Sequence, residues 1–210
     1  MRIIDISWPI VEGMTEYKDK KSLNLRQTKN FETDGFRETL ICFNSHTGTH
    51  IDSPAHFLKD GKTLDKIALD KLVGECQVLD FSDIDEKITK DDLEKYDIQS
   101  GDIIILKTKN SELSKIGPFN SKFVGLSPCA ADYLVSKNIK SVGIDYLGIE
   151  CGQPKHEVHQ KLLENEILII EGLRLAKVEA GKYFLCCLPL KFIGLDGSVA
   201  RAILLEKNID

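Results

Sequence analysis

The chain has 210 residues, 42% hydrophobic and 29% charged, with a formal charge of −5, a composition that excludes a disordered chain and fits a folded globular protein. Lysines are dispersed among a larger number of acids, which leaves no basic face for a nucleic-acid backbone. Nowhere do about 18 apolar residues run on without interruption, so no membrane-spanning helix is expected.

One continuous domain, 1–210, is expected, because no repeat, low-complexity tract or Pro/Gly/Ser-rich linker divides the chain. The start, Met1-Arg-Ile-Ile-Asp-Ile-Ser, puts an acid inside a short apolar run and does not read as a signal peptide, so a cytoplasmic location is expected. Ile3 to Ser7 reads as the first strand, and a second extended stretch is expected from about Arg37 into the segment that begins at His46. A turn at Gly61-Lys-Thr63 follows, then a short strand at Gln77 to Asp80. Thr89-Lys-Asp-Asp92 opens a helix with a capping Thr and an acidic first turn.

After Ser100-Gly101, Asp102 to Lys107 carries an Ile-Ile-Ile-Leu run that should be buried on both faces of a sheet. Ser127-Pro128 starts a helix through Ala130 to Ser136, and Ser141 to Asp145 is the next strand. His156 to Glu164 has helical spacing, and Ile167 to Ile170 is a strand running into Glu171-Gly172. Tyr183 to Pro189 and Ala200 to Leu205 are strands joined by a turn at Asp196-Gly197. The expected class is mixed α/β.

Six cysteines, at 42, 76, 129, 151, 186 and 187, have neither CxxC spacing nor the density of a secreted scaffold, and read as reduced, packed thiols. Cys186 and Cys187 should face opposite sides of their strand. All five histidines fall in two short windows. In an extended strand 46, 48, 50 and 52 share a face, so His46, His50 and Asp52 converge, whereas a helix would turn 52 away from 50. Pro54 breaks the strand and lets His56 return to the same pocket. Two imidazoles and a carboxylate suit Zn²⁺ or another first-row divalent ion and leave a position open for water; the alternative is a set of hydrogen-bonded strand histidines. His156 and His159 stand three apart near a helix start, and Glu171 stands at a strand end, where functional carboxylates are common in α/β proteins. GxSxG, GxxxxGK[ST], GxGxxG and HExxH are all absent, which argues against serine-hydrolase, nucleotide-phosphate and dinucleotide chemistry and favours metal-activated water. Two rivals are a closed, structural metal site and a nucleophilic hydrolase using Ser45 or Cys42.

The segment HxGTHxDxPxH, here His46 to His56, resembles the signature of the cyclase family, which includes bacterial kynurenine formamidases and isatin hydrolases. Asp5-Ile-Ser, Asp60-Gly-Lys-Thr, Gly143-Ile-Asp145, His159-x-x-Leu-Leu, Ile170-Glu-Gly-Leu173 and Asp196-Gly-Ser-x-Ala-Arg201 extend the resemblance over most of the chain. It implies a single swivelling β/β/α domain with a mixed sheet or barrel-like β core, assembled as homodimers or homotetramers. By that similarity His46, His50 and Asp52 bind one metal, Asp52, His159 and Glu171 bind a second, and His56 is the general acid/base. Two Zn²⁺ per chain are implied, with Mn²⁺ in some relatives. The implied activity is an arylformamidase that converts N-formylkynurenine to kynurenine and formate, with ring opening of a cyclic amide such as isatin as the alternative. Gly13 to Lys21 departs from the family by lacking the Pro-Gly-Asp type turn of the formamidases, in a region that shapes the substrate pocket.

Overall fold

The structure is a computed structural model describing residues 1–206. Along the chain run β1 (Arg2–Asp5), β2 (Asn24–Lys29), the one-turn helix α1 (Phe31–Asp34), β3 (Glu38–Cys42), β4 (His50–Asp52), β5 (Val73–Phe81) and β6 (Lys87–Ile88). Then come α2 (Lys90–Leu93), β7 (Ile103–Thr108), β8 (Gly125–Leu126), α3 (Pro128–Ser136), β9 (Ser141–Ile144) and α4 (Glu157–Glu164). The chain finishes with β10 (Leu168–Glu171), β11 (Gly181–Pro189) and β12 (Gly197–Glu206).

The principal sheet runs β1-β12-β11-β5-β7-β9-β10-β4, and a further pairing of β12 with β4 closes seven of these strands into a mixed barrel. β5, β7, β9 and β10 are parallel, as strands joined by helical crossovers must be. β4 closes the ring antiparallel to both neighbours, with Asp52 opposite Ile169 on one side and Gly197 on the other.

Alternation along β7 explains the layering. Ile103 and Ile105 point into the barrel with Ile51, Val78, Leu168, Ile170, Leu185 and Leu204. Ile104 and Leu106 point outward and pack with Val142, Ala130, Leu134, Val158 and Leu162 under α3 and α4. Both faces of this strand are therefore dry, as its unbroken Ile-Ile-Ile-Leu run requires. Cys187 is buried in the barrel while its neighbour Cys186 is only partly buried, in keeping with opposite faces, and all six thiols are free.

Most of the expected elements are present, several with longer bounds. Ser127 caps α3 by accepting a hydrogen bond from the Ala130 N–H at 3.3 Å, with Pro128 at the first helical position. The helix expected after Thr89 is a single turn, closed by the Asp92 carboxylate accepting from the Thr89 N–H at 3.0 Å. Asp196 ends a longer connection and Gly197 already belongs to β12, so the pair is a strand entrance and not a two-residue hairpin turn. The main correction concerns the stretch from Arg37 through Asp52. β3 stops at Cys42 and pairs with β2 as a separate hairpin, and residues 43–49 form an irregular turn before β4 begins. Gly48 sits at φ +62°, which no strand residue adopts, so strand alternation does not carry His46 to the face shared by His50 and Asp52.

Candidate metal centre

Three short pieces of backbone converge at the open end of β4, β9 and β10. His50 and Asp52 alternate correctly on β4 and project together, while the turn through Gly48 folds His46 back beside them. Ser53 ends the strand, and a 3-10 turn over Pro54–His56 brings the His56 ring onto the His46 ring, with centroids 3.9 Å apart. α4 contributes His159 from its buried face, and Glu171 is the last residue of β10.

The turn is held by Thr49, whose hydroxyl donates to the Gly172 carbonyl at 2.7 Å and accepts from the Trp8 N–H at 2.7 Å. Gly172 lies at φ +70°, and a Cβ there would stand 2.1 Å from the Gly48 carbonyl oxygen. Two glycines thus permit the close approach that sets the end of β10 against the histidine turn.

Asp52 is the centre of the arrangement. Its Oδ1 lies 2.8 Å from His46 Nδ1 and 3.5 Å from His50 Nε2. Its Oδ2 lies 3.7 Å from His159 Nε2 and is a buried oxygen with no hydrogen-bond partner. Glu171 closes the other side, with Oε2 3.3 Å from His50 Nε2 and Oε1 3.2 Å from His159 Nε2. Ile149 N–H donates to Glu171 Oε1 at 2.6 Å and fixes that carboxylate.

Each imidazole nitrogen turned away from this centre meets an oxygen. His50 Nδ1 faces the Gly48 carbonyl at 2.9 Å, His46 Nε2 faces Asp196 Oδ2 at 2.7 Å, and His159 Nδ1 faces Glu150 Oε1 at 2.8 Å. Glu150 also holds His156 Nδ1 at 2.7 Å and accepts from the Val158 N–H at 2.9 Å, so one buried acid organises the start of α4. Neither Asp196 nor Glu150 was expected as a site residue from the sequence. Asp196 read as a turn residue, and Glu150 is one acid among 33 acidic residues, in a loop with no periodicity to mark it.

The electrostatics ask for positive charge. Burial opposes a charge on His46, but Asp52 and Asp196 outweigh it and hold the ring up at about 9. Burial likewise opposes charge on His159, and Glu150 with Glu171 raises it to about 10. Asp52 and Glu171, although buried, are held below the usual carboxylate range by these imidazoles. His56 differs: burial lowers it, leaving a neutral ring at neutral pH.

The donor set fits a divalent cation. At metal–ligand distances of about 2.1 Å, neighbouring ligand atoms of a tetrahedral ion stand about 3.4 Å apart. The separations among His50, Asp52, His159 and Glu171 run from 3.2 to 3.7 Å. An ion would also give the orphaned Asp52 Oδ2 a partner and let the imidazoles be neutral. The centre opens onto a cavity of about 540 Å³, lined at its inner end by His46, His50, His56, His159 and Glu171. Of the alternative nucleophiles, Ser45 lies against Asp196 at 3.4 Å, and Cys42 is exposed on β3 and does not line the cavity.

Residues 4–151 match the family model described as putative cyclase. Over 203 residues the chain is 30% identical to kynurenine formamidase of Bacillus anthracis, covering 96% of each protein. The predicted metal-dependent hydrolase of Bacillus stearothermophilus is 41% identical, with 97% of each chain covered and a TM-score of 0.87. Isatin hydrolase A of Labrenzia aggregata shares the fold, with a TM-score of 0.83 over 98% of this chain and 94% of that one, at 21% identity.

Proposed function

The chain belongs to the cyclase family, and from that premise we propose that it is a metal-dependent hydrolase of an amide carbon–nitrogen bond, with an arylformamide such as N-formylkynurenine as the leading candidate substrate. The observation that carries the proposal is the placing of His50 Nε2 3.5 Å from Asp52 Oδ1, and of His159 Nε2 3.7 Å from Asp52 Oδ2 and 3.2 Å from Glu171 Oε1, at the head of an open cavity where Asp52 Oδ2 is buried without a partner. A structural site closes around its ion, whereas a catalytic one keeps a side open, and this one does.

In this reading His46, His50 and Asp52 would hold one ion, and Asp52, His159 and Glu171 would hold a second. Zn²⁺ suits these nitrogen and oxygen donors, and Mn²⁺ is the other candidate. A metal bound there would supply an acidified water and a Lewis acid for the substrate carbonyl. Asp196, the Gly48 carbonyl and Glu150 fix which nitrogen each imidazole presents: Nδ1 for His46, Nε2 for His50 and His159. His56 acts as the general base and then the general acid. Its neutral ring takes the proton of the attacking water and returns it to the departing nitrogen, so that formate and a free amine leave. Stacking on the His46 ring at 3.9 Å and an edge contact with Phe57 at 4.4 Å orient the His56 ring.

The test is a screen of zinc- and manganese-loaded protein against N-formylkynurenine, formanilide and isatin, with a chelated control. His56→Ala should keep its metal and lose about 10²–10⁴-fold in kcat. Activity that survives chelation, or a fully active His56→Ala protein that keeps its metal, would overturn this reading.

A further inference from the structure

His156 is the one histidine that the metal centre leaves unused. It stands at the N-cap of α4, and its carbonyl accepts the Gln160 N–H at 3.1 Å. Its side chain caps nothing. The cap acceptor is instead Glu150 Oε2, which takes the Val158 N–H at 2.9 Å, while Glu150 Oε1 takes two imidazole groups, His156 Nδ1 at 2.7 Å and His159 Nδ1 at 2.8 Å. Both imidazole bonds have full-strength lengths, and a carboxylate oxygen carries two lone pairs, so neither bond is made at the other's expense. Among the described residues Glu150 is the only hydrogen-bond partner of the His156 ring.

The backbone at His156 is left-handed, with φ 52° and ψ 42°, a conformation that a residue other than glycine rarely adopts without a structural reason. An N-cap is ordinarily extended, and ordinarily a Ser, Thr, Asp or Asn whose side chain caps its own helix. With this backbone the His156 ring leaves the helix end and lines the cavity, packed against Phe57 with centroids 5.1 Å apart. Phe57 in turn packs against His159 at 4.6 Å. The His156 side chain is 36% exposed, whereas that of its partner Glu150 is 2% exposed. The ring therefore fills a place beside Glu150 Oε1 that cavity water would otherwise take.

We propose that His156 is a positioning residue of the metal centre, an inference that rests on the metal reading of the site: by donating to Glu150 it fixes the carboxylate that holds His159, and so fixes the direction in which His159 Nε2 meets its ion. Without this donor, water competes with His159 Nδ1–H for Glu150 Oε1, and the His159 imidazole is freer to turn. The effect is confined to one ligand. Val158 N–H still holds Oε2, and His46 and His50 are oriented by other acceptors, Asp196 and the Gly48 carbonyl.

Two substitutions separate the donor from the backbone. Asn and Gly both accept a left-handed φ, and the Asn side-chain N–H stands as many bonds from the backbone as His Nδ1–H, so His156→Asn keeps the donor and His156→Gly deletes it. In metal-free protein labelled with ¹⁵N-histidine, the His159 Nδ1–H, identified by its loss in His159→Gln, should exchange with solvent about fivefold to tenfold faster in the Gly variant and at the wild-type rate in the Asn variant. Competition with a chromophoric chelator should show one equivalent of Zn²⁺ bound about tenfold more weakly in the Gly variant, and the Asn variant binding like the wild type. A Gly variant that matches the wild type in either exchange or affinity overturns the proposal. So does an Asn variant as impaired as the Gly variant, since the packing of the ring and not its donor is then what counts. If the wild type binds no zinc, the metal reading fails, and the hold of His156 on His159 stands or falls on the exchange rates alone.

Discussion

Replacing Gly172 by alanine probes the close approach that sets the end of β10 against the histidine turn. The added Cβ would lie 2.1 Å from the Gly48 carbonyl oxygen and 3.0 Å from the Thr49 nitrogen, both backbone atoms. Ordinary contact lies beyond about 3.4 Å, so the strands must part by an ångström or more. A left-handed alanine costs about 1 kcal/mol relative to glycine and forced overpacking about 2 kcal/mol, together about 3 kcal/mol. For a chain of this size that lowers Tm by about 6–12 °C. Separation also strains the Thr49 hydrogen bond to the Gly172 carbonyl and shifts His50 beside it, so metal affinity should fall about tenfold or more, as when a supporting contact of a ligand is lost. Gly35→Ala is the control. Gly35 also has a positive φ, +75°, but nothing lies within 4 Å of its Cβ position, so only the conformational cost of about 1 kcal/mol applies. Calorimetric melting and metal titration of both variants measure the difference. If Gly172→Ala melts no lower than Gly35→Ala and binds metal like the wild type, the contact does not organise the site.

Glu150→Gln keeps the shape of the acid that faces His159 but weakens its hold on the ring; metal affinity by competition with a chromophoric chelator should drop about 10–100-fold. Metal addition at about 100 times its dissociation constant should stabilise the fold by about 2.7 kcal/mol, read as a rise in Tm that chelation reverses; a Tm indifferent to metal would refute binding to the folded state. Asp145 is buried, and burial raises its carboxyl to about 6 from 3.8. Its folded pKa is the higher one, so the folded state binds more protons over that interval. The stability this group contributes is complete below about pH 4 and lost as pH rises through about 6, a change of about 3 kcal/mol. Asp145 Oδ1 contacts only the Thr108 hydroxyl, at 2.7 Å, which can turn to accept instead. Asp145→Asn should therefore gain on the wild type by about 3 kcal/mol in urea denaturation between about pH 4 and about pH 7, and a flat difference would refute the raised pKa.

Local periodicity made β7 and α3 readable, because a run of β-branched residues and a Ser-Pro helix start are properties of a few adjacent side chains. The same is true of His50 and Asp52, which share a face because they are two apart on a real strand. His46 reaches them by a different route from strand alternation: a left-handed glycine is a backbone fact that residue spacing alone does not distinguish from an extended one. Glu150 and Asp196 were hidden because each acts through a histidine distant in sequence, and nothing beside them in the chain marks that partner. The β2–β3 hairpin was half seen. β2 (Asn-Leu-Arg-Gln-Thr-Lys) is almost wholly polar and mostly exposed, so it has no hydrophobic face for a pattern to detect. Ring closure of the sheet through β4 depends on pairings between remote segments, which no window of sequence contains.

That closure bears on the order of events in folding. β4 has three residues, and both strands it joins, β10 and β12, lie more than a hundred residues further along the chain. So short a strand with such distant partners repays its loop-closure entropy late, after the β5-β7-β9-β10 crossovers have formed. The seam where His50 and Asp52 sit thus zips late, and contacts formed after the transition state act on the rate of unfolding. Whatever binds at that seam works as a clasp: it lengthens the lifetime of the closed barrel and leaves the speed of its assembly almost untouched.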